Sequence, residues 1–248
     1  MHVFENTKVF MRKFLYIPFI ALALATPVQA TEYNPDPWEG FNRKMFSFNE
    51  KMDTYALRPM AVGYHKVTNQ PVRSSVSNFF SNLGELKVIV SDLLQLKIGQ
   101  AASDTGRFVV NSTLGFFGLF DVATHFGLKK HEEDFGQVLG YWGVGSGPYV
   151  MWPFLGPSTV RDSAGLGLQY AANVSMINFG RNTTEDIAIG TFYAVSVRAD
   201  FLDAEGLIQG DKYTFIRSFY LQRRAYLINE GRKMEEDFGD DDWDDFDE

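Results

Sequence analysis

The stretch Asp134–Asp162, DFGQVLGYWGVGSGPYVMWPFLGPSTVRD, combines six glycines and three prolines with Phe135, Tyr141, Trp142, Tyr149, Met151, Trp152 and Phe154. Glycine costs about 1 kcal/mol and proline about 3 kcal/mol at an interior helical position, which predicts irregular backbone here rather than a regular helix. The run is also too apolar for an ordinary solvated loop. It belongs inside the protein or where an apolar phase meets water, a setting that favours Trp and Tyr rings. Spacing argues against a phosphate cradle. Gly143 and Gly145 are followed by Gly147 and Pro148 instead of the G-x-x-G of a dinucleotide fingerprint, and no Gly-Lys-Ser/Thr closes the run. A Gly/Pro corner in a globular core is the plainer alternative.

Helical periodicity surrounds this stretch. Asp36-Pro37-Trp38-Glu39 has the pattern of a helix start, with Asp36 as the cap and Pro37 in the first turn. Trp38, Phe41, Met45, Phe48, Met52 and Tyr55 then mark one helix face, expected to pack in the core, and Arg58-Pro59 is expected to end the helix. A second helix is predicted after Pro71, with Val72, Val76, Phe79, Phe80 and Leu83 on one side. A third follows Gly84, carrying Leu86, Ile89, Val90, Leu93 and Leu94, and a fourth runs from Ala101 to Leu114. The apolar segment from Leu114 to Phe126 is broken by Gly115 and Gly118 and is too short to span a bilayer, which needs about 20 residues. It reads as a hairpin tucked into the core or dipping into lipid. Residues 129–134 then read as a solvated turn.

Downstream, Ser158 or Thr159 can cap a helix through Ala171, and Asn182 with Glu185 forms a capping box before Ile187, Phe192, Val195 and Ala199. Asp211 starts a last helix bearing Phe215, Ile216, Phe219, Tyr220, Tyr226 and Leu227, with Arg223, Arg224 and Gly231 at its end. No period-two run calls for strands. The fold class is therefore all-α, with one domain over residues 31–231.

The ends differ from this body. Arg12 and Lys13, an apolar run from Phe14 to Ala25 and the small-residue site Val28-Gln29-Ala30 resemble a secretory signal starting at Met11 and cleaved after Ala30. An uncleaved anchor is the alternative. Of the 31 acidic residues, ten lie in residues 235–248, so 21 face 23 basic residues in the remainder. A nearly neutral body offers no basic face for nucleic acid, while residues 232–248 form an acidic tail expected to be disordered. Phe238, Trp243 and Phe246 sit among its carboxylates and suggest a docking role. The sequence contains no cysteine, which leaves no disulfide, thiolate metal site or thiol-linked lipid.

Several collinear motifs resemble the VacJ/MlaA family of outer-membrane phospholipid-transport proteins. They are Asp36-Pro-Trp-Glu-Gly-Phe-Asn-Arg43, Phe48-Asn49, Arg107-Phe-x-x-Asn111-Ser-Thr-x-Gly115, Gly140-Tyr-Trp-Gly-Val-Gly-x-Gly-Pro-Tyr149, Gly156-Pro-Ser-x-x-Arg161-Asp162 and Tyr220-x-Gln-Arg-Arg224. The resemblance implies a ring of helices within the inner leaflet of the outer membrane around an amphipathic channel. It further implies removal of misplaced phospholipid from the outer leaflet and its delivery to a periplasmic lipid-carrier protein, which serves an inner-membrane ABC-type transporter. A trimeric outer-membrane porin is the implied partner, and no cofactor is implied.

By the same resemblance, Phe48 and Asn49 lie beside the lipid path. Asn111, Gly115, Phe116, Phe117, Gly118 and Asp121 belong to a gate-like hairpin, with Gly143 and Gly145 packing behind it and Gly147 and Pro148 nearby. Phe135, Gly136, Gln137, Val138, Leu139 and Gly140 correspond to a porin-facing segment. Family members commonly begin at an acylated cysteine, which is missing here.

Two other readings compete. A lipid hydrolase would need a nucleophile elbow, but Ser146 lies in Val-Gly-Ser-Gly-Pro, and His2, His65, His125 and His131 have no metal-site spacing. Asp162 beside Arg161 is expected to be a structural ion pair rather than a base. A porin-associated scaffold that moves no lipid would share the same motifs.

Overall fold

A computed structural model describes residues 34–172, 174, 182–207 and 210–229. The signal-like segment, Gly231 and the acidic tail with Phe238, Trp243 and Phe246 lie outside the described residues. Helix α1 (Glu39–Met52) continues through a π-helical turn (Asp53–Leu57) into α2 (Arg58–Val67). Pro59 therefore does not end the helix as expected. It occupies the first turn of α2, and the wider π turn before it eases the lost hydrogen bond. Helix α3 runs unbroken from Gln70 to Leu94, capped by Asn69, whose side chain accepts from the Val72 N–H at 3.1 Å. Gly84, expected to separate two helices, is a buried interior residue of α3, where packing offsets its helix cost of about 1 kcal/mol. After a short turn α4 (Ile98–Thr113) packs along α3.

The glycine-rich stretch is more regular than its composition predicts. Asp134 caps α6 (Phe135–Tyr141), which follows the single turn α5 (Val122–His125). Then β1 (Tyr149–Trp152) pairs antiparallel with β2 (Gly156–Thr159), Tyr149 opposite Thr159 and Trp152 opposite Gly156. The strands correct the expectation of an exclusively helical chain, although the described fold remains mostly helical. Phe154 and Gly156, both at positive φ, close the hairpin. Gly165 is needed for close approach: a Cβ on it would lie 2.4 Å from the Gly136 backbone nitrogen, so α6 and α7 (Val160–Ala171) meet backbone to backbone.

Three of the predicted caps are present. Thr159 caps α7, Asn182 caps α8 (Thr183–Asp200) and Asp211 caps α9 (Lys212–Ile228). Between α8 and α9 lies a 3-10 segment, Leu202–Leu207.

Polarity runs opposite to that of a water-soluble bundle. On α1 the stripe expected in the core faces outward, with Trp38 47% and Phe41 48% exposed, whereas Asn42 is fully buried. Only Met45 of that stripe packs on the small cluster of Tyr149, Met151 and Tyr213. Leu93 and Leu94 on α3, Ile187 on α8 and Phe215, Phe219 and Tyr226 on α9 are likewise exposed. Inside lie Glu85, Asp92, Asp104, Arg107, Glu133, Arg161 and Arg224. Large apolar groups exposed in such number mark a surface covered by something other than water. Among the described residues no helix is long and apolar enough to cross a membrane.

Candidate functional site

Three buried polar braces hold these elements, and each includes residues singled out in the sequence. The first is centred on Asp36. It is not the cap of α1, since the N-cap is Trp38 and no side chain caps that end. Asp36 instead accepts from Asn42 Nδ2 at 2.7 Å, from the Arg217 guanidinium at 2.8 Å and from the Tyr213 hydroxyl. Burial acts to raise the Asp36 pKa, but these hydrogen bonds more than reverse it and hold the carboxyl below its ordinary value. Asn42 also donates to the Tyr149 carbonyl at 3.1 Å and accepts from the Met151 N–H at 2.8 Å. The start of α1, the β-hairpin and α9 are thereby tied at one point.

Asn49 repeats this clamp one stage along. Its Nδ2 donates to the Trp152 carbonyl at 2.9 Å, and its Oδ1 accepts from the Phe154 N–H at 2.8 Å. Phe48 meets Phe154 edge to face at 5.2 Å. The pair thus grips the hairpin turn at the protein's exposed apolar rim.

A second brace closes the loop between α4 and α6. Arg107, 1% exposed, donates to Glu85 (3.4 Å), to both Asp121 oxygens (3.2 Å) and to the Leu128 carbonyl. Asn111 donates to Asp121 at 3.0 Å and accepts from the Ala123 N–H at 2.8 Å. Phe116 and Phe117 project from this frame, both exposed and both at positive φ, which costs of order 1–3 kcal/mol each. Gly118 lies against Asn82 of α3, where a Cβ would come within 2.6 Å of the Asn82 Cβ. At Gly143 and Gly145 an added Cβ would meet nothing within 4 Å. Gly143 is required for its φ of +87°, and Gly147 sits against Val160. The Pro148 carbonyl accepts from Val160 N–H at 3.0 Å.

The third brace joins α6, α7 and α9. Arg224 donates to Asp134 (2.6 and 3.0 Å) and to Asp162 (2.8 Å), and the Tyr220 hydroxyl donates to Asp162 at 2.7 Å. Arg161 also pairs with Asp162 at 3.0 Å. Gly136 leaves room for the pair, because a Cβ there would lie 2.5 Å from Asp162 Oδ1. Arg224, read from the sequence as a helix end, is a buried centre of charge. Of the segment assigned to a porin, Phe135, Gly136, Gln137 and Val138 are buried and Leu139 and Gly140 half-buried, while Tyr141 and Trp142 are exposed.

One buried cluster was not singled out. Asp92 on α3 and Asp104 on α4 are both fully buried, and His131 Nδ1 meets the Asp104 oxygens at 2.9 and 3.0 Å. Neither Asp92 oxygen accepts a hydrogen bond from a donor among the described residues. Burial, and next the neighbouring Asp104 carboxyl, push the Asp92 pKa up from 3.8 to about 8. Between those values the folded chain holds a proton that the unfolded chain releases, so stability should fall as pH rises from about 4 to about 8. Asp92→Asn should flatten that slope in thermal unfolding at pH 5 and pH 8; an unchanged slope refutes the assignment. Helical spacing held a signal for this interior: Asp104, Arg107 and Asn111 recur at steps of three and four on α4.

The second and third braces border a cavity of about 460 Å³ between α3, residues 130–134, α8 and α9. Its wall combines Phe80, Val88 and Tyr193 with Lys87, Lys130 and Arg223. Such a lining suits an amphipathic guest.

Comparison with known proteins agrees with this architecture. The family model described as "MlaA lipoprotein" matches residues 34–227. The Escherichia coli K12 protein named "Intermembrane phospholipid transport system lipoprotein MlaA" is 37% identical over 205 residues, covering 79% of each chain. Its namesake from Haemophilus influenzae is 29% identical over 212 residues, covering 84% of each. A solved structure described as "Structural basis for maintenance of bacterial outer membrane lipid asymmetry" is 36% identical with a TM-score of 0.69, covering 79% of this chain and all of that one. The match takes in all three braces and the glycine-rich stretch between them, and the chain belongs to the MlaA lipoprotein family.

Proposed function

We propose that this protein is the outer-membrane component of an intermembrane phospholipid transport system, withdrawing misplaced phospholipid from the outer leaflet and passing it to a periplasmic carrier that serves an ABC-type transporter. The observation that carries this reading is the inverted polarity, with aromatic side chains outside and a charged interior around a polar-and-apolar cavity. An apolar exterior suits residence within one leaflet, and a polar interior accommodates a headgroup that the leaflet's hydrocarbon excludes. The protein performs no covalent chemistry on the lipid in this reading. Phe48, Asn49 and the loop holding Gly115 to Asp121 flank the lipid's route. Porin contact falls to Leu139, Gly140 and the exposed Tyr141 and Trp142 beside them, and Phe238, Trp243 and Phe246 recruit the carrier.

Deleting the gene and labelling phospholipid head groups on the cell surface tests the proposal. Surface phospholipid should rise and return to baseline on complementation with the wild-type chain. No rise in a strain whose porins remain intact would leave a scaffold role instead.

A further inference from the structure

We propose that Lys87 of α3 and Lys130 of the α5–α6 loop form a binding site for the phosphate group of a phospholipid within the 460 Å³ cavity. The inference rests on the transport reading above and adds to it a location and a charge requirement for the headgroup. The cavity wall carries four carboxylates, and each has its own cation. Glu85 faces Arg107 at 3.4 Å and Glu133 faces Lys97 at 2.7 Å. Asp134 faces Arg224 at 2.6 Å, and Glu132 pairs with Arg223. Arg107 and Lys97 reach in from outside the lining.

The two lysines are the remainder of this pairing. Among the described residues Lys130 Nζ donates to the neutral Ser81 hydroxyl and acts on Glu85 only at longer range. The Lys87 side chain is half-buried and makes no direct ion pair among the described residues; it acts on Asp134 only at longer range, helping to lower that carboxyl's pKa. Asp134 is already held by Arg224 and Glu85 by Arg107, so neither lysine has a carboxylate of its own in contact, and a half-buried ammonium so placed is costly to maintain. An incoming anion would relieve that cost. Beside the lysines, Phe80 and Tyr193 form an apolar wall, their rings 4.9 Å apart. A free anion has no use for such a wall, whereas a glycerol backbone and the first acyl carbons do.

The test uses the full chain purified in maltoside micelles and titrated with dihexanoyl phosphatidylglycerol, with dihexanoylglycerol and with inorganic phosphate. Lys87→Ala should weaken phosphatidylglycerol binding about ten-fold, the scale of one charge-assisted hydrogen bond. Lys87→Ala with Lys130→Ala should weaken it further, and Lys87→Arg should retain it. Dihexanoylglycerol binding should be the same in all of these proteins. Thermal unfolding checks that the variants fold, which is expected because neither lysine closes an ion pair.

Unchanged phosphatidylglycerol binding in the double variant overturns the site, as does inorganic phosphate binding as tightly as the lipid. The same variants tested for surface phospholipid in cells separate this failure from failure of the transport reading. If the double variant complements the deletion as well as wild type and binds lipid normally, the site is wrong and transport stands. If the wild-type chain itself has no effect on surface phospholipid, the transport reading is what fails.

Discussion

Replacing Arg224 with alanine should lower the stability of the domain by about 3–5 kcal/mol, the usual cost of leaving a buried charge without its partner. Arg224 holds two carboxylates from two other elements, Asp134 at the start of α6 and Asp162 in the first turn of α7. Both carboxyls are pushed up by burial and then brought below their ordinary values, chiefly by the guanidinium. Without it they face each other across Gly136, which has no side chain to separate them. For a domain of this size the loss corresponds to roughly 10 °C in Tm.

The neighbouring Arg223 provides the comparison. It pairs with Glu132 at the surface, where both side chains are about half exposed, and a surface pair contributes only about 0–1 kcal/mol. Thermal unfolding of Arg223→Ala and Arg224→Ala should therefore differ several-fold in effect. Equal losses would mean that the α6–α7–α9 brace does not hold the domain. The sign of the pH dependence follows: Asp134 and Asp162 are lowered, so their contribution is complete above the ordinary carboxylate pKa and disappears as pH falls below it. Arg224→Ala should weaken that acid dependence.

A single added methyl at Gly115 should release the loop between α4 and α5. A Cβ there would lie 2.2 Å from the Phe120 carbonyl oxygen and 2.4 Å from that of Asn111. Both contacts are with backbone, so no rotamer change can relieve them. The loop must swing away, breaking the bond from Phe120 N–H to the Gly115 carbonyl at 3.0 Å and the bond from Gly115 N–H to Val110 at 3.1 Å. Overpacking of this kind costs about 1–3 kcal/mol. Because Phe116 and Phe117 already sit in strained left-handed conformations, we expect the cost to appear as loop opening rather than global unfolding. Limited proteolysis or hydrogen exchange should show residues 114–121 exchanging faster in Gly115→Ala while α3 and α4 remain protected. Uniform loss of protection would contradict this, and protection equal to wild type would mean that the loop absorbs the methyl.

In the sequence, the longer helices and the starts of α7, α8 and α9 were legible, whereas α2, α5 and α6 were not foreseen. Asn182, Asp211 and Thr159 cap as their local patterns indicate, because a cap needs only the next three residues. The ion pair of Arg161 and Asp162 was legible for the same reason. Asp36 was misread because its partners Tyr213 and Arg217 lie 177 and 181 residues away, and no local pattern reports them. The hairpin of β1 and β2 was invisible because YVMW is too short to show alternation.

What the amino-acid order alone determined is that the chain is mostly helical, where several helices start, and that α1, α3 and α4 carry apolar faces. Tertiary structure decided which way those faces point. Periodicity locates an apolar stripe but does not reveal whether neighbouring protein or an external apolar phase covers it, so the α1 stripe could read as core and yet lie outside. The same geometry decided the fate of the charges. Glu85, Asp104, Arg107 and Arg224 resemble ordinary helix-surface residues one at a time. They become interior braces because the helices converge on them, bringing partners 14 to 90 residues apart within hydrogen-bond range.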